Sequence, residues 1–194
     1  MPFFLSLLAA KGLGALVGGL LLLIQGAPGF AAPVLVVARD TVYISTRLEH
    51  GFNKSLDQLL LSGSTVAIGY TATLLFRDRE GRIIEAEPKT FVHSAVYDPA
   101  ARQFAVYRSE ITGNADSLVF VETPRAAKEL LTRVRAGLAL RKSLFRDGRF
   151  ACRIEAALNT IKLEALDSQE LDLNVFWNFR YPRAVTAWST LEGR

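Results

Sequence analysis

The chain has 194 residues, half of them hydrophobic, with 23 Lys and Arg against 19 Asp and Glu, two His and a single Cys. That composition excludes a disordered polymer, and the lone Cys152 excludes an intramolecular disulfide and a cysteine-built zinc site. A formal charge of +4 permits contact with an anionic lipid or polymer without demanding it.

Residues 1–10 are apolar, Lys11 interrupts them, and 12–24 run without a charge into Gln25, Gly26, Ala27, Pro28, Gly29, Phe30, Ala31 and Ala32. A positive residue, an apolar stretch, a breaker and small residues together describe a signal peptide. Pro33 hinders a cut after Ala32, so cleavage is expected after Ala31. That divides the chain into a leader, 1–31, and one β-rich exported domain, 32–194, placed in the periplasm or cell envelope. The alternative is an uncleaved membrane anchor, because with 1–10 included the apolar run is long enough to span a bilayer. No cysteine lies near enough to carry a lipid. Roughly 160 residues remain after the leader, enough for one core without disulfides.

Beyond the leader, period-2 alternation dominates. In 41–48, Val42, Ile44 and Leu48 share a face, with Thr41, Tyr43, Ser45 and Arg47 opposite. Asn53 is placed to cap a short helix over 54–61, ended by Gly63. Val66, Ile68, Tyr70, Ala72, Leu74 and Phe76 line one face of a long strand. Asp78-Arg79-Glu80-Gly81 then predicts a hairpin turn into 82–86. A strand over 90–97, a turn at Asp98-Pro99, its partner over 102–108 and a short strand over 117–122 follow.

Thr123-Pro124 is a helix start, an N-cap residue followed by Pro at the first helical position. Ala127, Leu130, Leu131, Val134 and Leu138 give that helix an apolar face and carry it to about Leu140 or Phe145, with Gly148 turning into the next strand. Phe150, Cys152, Ile154, Ala156 and Leu158 alternate within 150–163. The tail is expected to be extended over 175–179 and 184–188, and alternation there buries only one of Phe176 and Trp177. Several antiparallel hairpins with one main and one short helix predict a mainly β fold, an antiparallel β-sandwich or a curled sheet.

Chemistry-bearing residues are sparse. His50 and His93 are the only histidines, and no nucleophile-elbow motif accompanies either. A packed or solvent-facing histidine accounts for each more simply. The acidic residues Glu164, Asp167, Glu170 and Asp172 lack the spacing and glycine turn of a calcium loop and read as a solvated connection. Cys152 falls on the apolar face of its strand and reads as structural. Asn53-Lys54-Ser55 fits a glycosylation acceptor, but capping explains Asn53 without it. The one sizeable charge asymmetry is Arg125, Lys128, Arg133, Arg135, Arg141 and Lys142, continued by Arg146 and Arg149 and opposed by Glu129 and Asp147. Its plain reading is a solvated helix face; its functional reading is a site for anionic lipid headgroups or an acidic partner. Nucleic acid does not fit an exported chain.

The layout is one of leader, strand, Leu-rich short helix, then hairpins ending in Ala95-Val96-Tyr97-Asp98 and Phe104-Ala105-Val106-Tyr107. The Thr123 helix and a Trp-containing tail, Leu171-Asp172-Leu173-Asn174-Val175-Phe176-Trp177 with Pro182 and Trp188 beyond, complete it. It resembles a bacterial family of exported proteins, domain-of-unknown-function family 4390, over nearly all of 32–194. The resemblance implies export and a β-rich fold, and it carries no catalytic residue. Three functions are therefore expected in descending order. The first is a non-enzymatic envelope domain binding a membrane partner or anionic surface. A carrier with an apolar cavity between its sheets comes second, and a hydrolase built on His50 or His93 third. No metal or cofactor is expected.

Overall fold

Alternation gives the long strands an inward row of buried side chains, and two sets of strands close on a shared core. The computed structural model describes residues 26–109, 116–140, 149–163 and 169–190. In chain order the elements are β1 (Gly29–Phe30), β2 (Val34–Ala38), β3 (Thr41–Glu49), α1 (Lys54–Leu61), β4 (Val66–Arg77), β5 (Ile83–Glu85), β6 (Lys89–Asp98), β7 (Gln103–Arg108) and β8 (Ser117–Val121). Then come α2 (Pro124–Thr132), β9 (Arg133–Ala139), β10 (Arg149–Leu158), β11 (Thr160–Leu163), β12 (Gln169–Asp172), a 3-10 turn (Leu173–Trp177), β13 (Arg183–Val185) and β14 (Ser189–Thr190).

The larger sheet runs β13-β10-β4-β6-β7-β8, with β14 also on β10 and β5 also on β4. It curls into half a barrel, as a mainly β curled sheet should. Its inward row is the one alternation marks: Val66, Ile68, Tyr70, Ala72, Leu74 and Phe76 on β4, and Phe150, Cys152, Ile154, Ala156 and Leu158 on β10, all buried. In the smaller sheet β3 is central, flanked by β9 on one side and by β2 on the other, with β1 pairing its far end. Val42, Ile44 and Leu48 face the same core.

The local signals act as their chemistry requires. The side chain of Asn53 accepts from Leu56 N at 3.0 Å and caps α1; its own amide donates to Phe176 O at 2.8 Å. Thr123 accepts from Ala126 N at 3.2 Å and caps α2. Asp98 accepts from the amides of Ala100 and Ala101, closing the β6–β7 turn. Gly81 holds φ +83 in the β4–β5 turn, a conformation that costs glycine nothing.

Two expectations are corrected. The Thr123 helix does not reach Leu140 or Phe145: α2 ends at Thr132 and the chain continues at once as β9. Val134 and Leu138 suit a helical stripe, but Val134, Ala136 and Leu138 also alternate with exposed Arg133 and Arg135. The ladder to β3, with Ile44 opposite Ala136, rewards the second arrangement. The tail is likewise a 3-10 turn rather than a strand at 173–177. Asp172 accepts from Asn174 N to start it, and the Trp177 indole donates to Gly51 O at 2.8 Å. Trp177 is buried and Phe176 half-buried, so one aromatic goes deep as expected. The expected turn at Gly148 lies outside the described residues.

Asn174 completes the end of β10: its carboxamide accepts from Leu158 N at 2.8 Å and donates to Leu158 O at 2.9 Å. Replacing it strips both buried backbone groups of their partner. Asn174→Ala should cost about 2–4 kcal/mol, read as a lowered urea midpoint at unchanged slope.

Candidate functional site

The basic residues singled out above do not share one helix face. Arg125 and Lys128 project from α2, Arg133 and Arg135 from the outward side of β9, and Arg141 and Lys142 lie outside the described residues. What gathers the first four is the abrupt passage from α2 to β9, which sets the end of the helix against the outward side of the small sheet. There β3 contributes Arg47, which the sequence placed on a polar strand face and left out of the basic group. Arg47 stands directly across the ladder from Arg133.

Arg47, Arg125, Lys128, Glu129 and Thr132 line a shallow open groove of about 240 Å³. Its charges are unequally committed. Lys128 Nζ bonds both Asp57 oxygens at 3.0 and 3.1 Å, so it clamps α2 to α1 and is chiefly structural. Glu129 takes a bond from Arg133 at 2.6 Å and a longer contact from Arg47 at 3.5 Å. Arg125 and Arg135 are exposed, and among the described residues neither side chain has an ion-pair or hydrogen-bond partner. Two carboxylates thus face five cations, and two of those cations remain uncompensated. On the same side of the small sheet, Val34 and Val36 of β2 stand 60% and 56% exposed, so the basic surface continues into an apolar one.

A second groove of about 370 Å³ lies on the outward side of β4, β6 and β10, over Gly69, Val92 and Ala157, with Tyr181 at its rim. Both grooves open to solvent, and neither enters between the sheets. Among the described residues, the cavity that an apolar carrier needs is not formed by either.

The histidines are dispersed. His50 is exposed, in the left-handed region at φ +53. His93 is fully buried on β6. Its Nδ1 lies 3.0 Å from Leu131 O, to which it donates, while the Tyr70 hydroxyl donates to the same carbonyl at 2.8 Å. The rings of Tyr70 and Phe91 enclose it, with centroids 5.0 and 5.6 Å away. Among the described residues no hydroxyl or carboxylate bonds either imidazole, and His93 Nε2 has no partner. The constellation a hydrolase requires is not assembled there. Burial, with a smaller contribution from the nearby Arg108 cation, holds His93 down at about 4, so the ring is neutral. Burial pushes the Cys152 thiol up to about 12, an unreactive state consistent with a structural residue. Among the described residues no three His, Cys, Asp or Glu side chains gather as a metal site, and no helix is long and apolar enough to cross a membrane.

Compared with family models, with curated proteins and with solved structures, the chain matches none.

His93 makes stability pH-dependent with a definite sign. Its folded-state value lies below the unfolded one near 6.5. Its contribution is therefore complete above that value and declines as pH falls toward about 4. Between about pH 7.5 and about pH 4.5 the loss should reach about 2–3 kcal/mol. Urea titrations of the parent and of His93→Phe isolate it: the variant keeps an aromatic of similar size and should lose that portion of the pH dependence.

Proposed function

We propose that this protein is a non-enzymatic binding domain of the bacterial envelope whose cationic surface, built from α2, β3 and β9, meets an anionic partner. One observation carries the reading. Arg125 and Arg135 are exposed, without a partner among the described residues, and gathered with Arg47 and Arg133 on one side of the small sheet and the end of α2. Solvated arginines cost little to keep, but an arginine without a carboxylate remains free to bind phosphate or carboxylate in bidentate fashion. The exposed valines of β2 on the same side favour a lipid surface, since basic and apolar groups together suit the headgroup boundary.

The apolar-carrier and hydrolase readings lack comparable support. The former wants a space between the sheets, the latter a histidine bonded to a serine and a carboxylate.

Vesicle co-sedimentation tests the reading. A chain beginning at Gly26, which keeps β1 and lacks the apolar leader, should bind vesicles of anionic phospholipid at low salt and release them as salt rises, because exposed charges are screened over about 10 Å at 0.1 M. Each cation near such a surface contributes about 1 kcal/mol. Arg125→Ala with Arg135→Ala should therefore weaken binding by about tenfold to thirtyfold, and thermal stability should be unchanged. Equal binding by parent and variant, or none by the parent, would sink it.

A further inference from the structure

A cut after Ala31 would fall within the folded domain. Gly26 adopts φ +81 against the ring of His50, where an added Cβ would stand 3.1 Å from ring carbons. Pro28 is buried. Gly29 and Phe30 pair with Glu49 and Leu48 of β3. The Phe30 ring packs on the core 6.4 Å from that of Tyr70. Ala31 N donates to Arg47 O at 2.8 Å, and Ala31 O accepts from the Thr46 hydroxyl at 2.7 Å. Removing these residues would unpair one end of β3 and uncover one side of Tyr70, whose hydroxyl holds the end of α2.

A cut after Gly29, with Ala27 and Gly29 as the small pair, would split β1 and so also falls within the domain. Ala27 is followed by Pro28, the same obstacle that Pro33 sets after Ala32, and Leu20 to Gln25 contain no small residue. We infer that the chain is not processed at this junction, that residues 26–31 stay in the domain, and that the apolar leader remains attached as a membrane anchor. Within residues 2–24 there are thirteen Leu, Ile, Val and Phe residues, and their combined preference for hydrocarbon outweighs the cost of the single Lys11. The anchor meets the fold at Gly26, beside His50 and three positions along from Arg47. That end of β3 also holds the cationic groove, so the uncut chain keeps the groove close to the bilayer. The inference concerns the covalent state of the chain and does not depend on the groove binding anything.

The test uses the full chain, expressed in a bacterium with an active secretion pathway. Membranes are floated on a density gradient, and the protein is measured by intact mass before and after alkaline carbonate extraction. The expected result is an unshortened chain, starting at Met1 or Pro2, that floats with the membranes and resists extraction. A shortened chain, whatever its new N-terminus, overturns the inference, as does an unshortened chain recovered in the soluble fraction. Loss of vesicle binding in the arginine variant leaves this mass unchanged, so the two proposals fail separately.

Discussion

The last carbonyls of a helix have no partner within it, and here that of Leu131 is buried in the core. Helix α2 becomes β9 without an intervening turn, and Leu131 O lies out of reach of solvent. The molecule supplies side chains instead. Thr132 Oγ1 donates to Lys128 O at 2.8 Å. Tyr70 and His93, reaching in from β4 and β6, both donate to Leu131 O. Arg108 of β7 donates to Arg133 O at 3.0 Å. Three strands of the large sheet thereby hold the point at which the chain crosses to the small one. The buried polar residues that would attract a catalytic reading are spent on this junction.

The same junction shapes the surface. By ending α2 at Thr132 it turns Arg133 and Arg135 onto the outward side of a strand, and the β3–β9 ladder then places Arg47 next to Arg133. Asp57 holds Lys128 and Glu129 holds Arg133, so the helix is fixed by some of its cations and presents the others. On the large sheet Arg153 meets Glu85 through two bonds of 2.7 Å, which holds the Glu85 carboxyl below its usual range. What distinguishes Arg125 and Arg135 from other exposed cations is their place beside Arg47 and Arg133 on one surface.

Much of the fold was legible because its signals are local. The alternation within β3, β4, β6, β7 and β10 assigns each residue to a face whatever the partner strand is. Asn53 and Thr123 cap helices through amides three residues away. Asp98 and Gly81 make turns from their own chemistry. Where local signals conflict, legibility ends. Residues 133–138 satisfy a helical stripe through Val134 and Leu138 and a strand through Val134, Ala136 and Leu138. The decision belongs to β3, some ninety positions earlier.

Sequence by itself determined that this is a mainly β protein with strands of one buried face, two capped helices and an unreactive interior cysteine, because each depends on spacing along the chain. Tertiary structure alone decided where α2 stops, which aromatic of the tail is buried, that His93 serves a helix end, and that Arg47 joins Arg125 and Lys128 in one groove. Those outcomes depend on which distant backbone satisfies a buried carbonyl or pairs with an open strand, and no pattern of nearest neighbours encodes that choice.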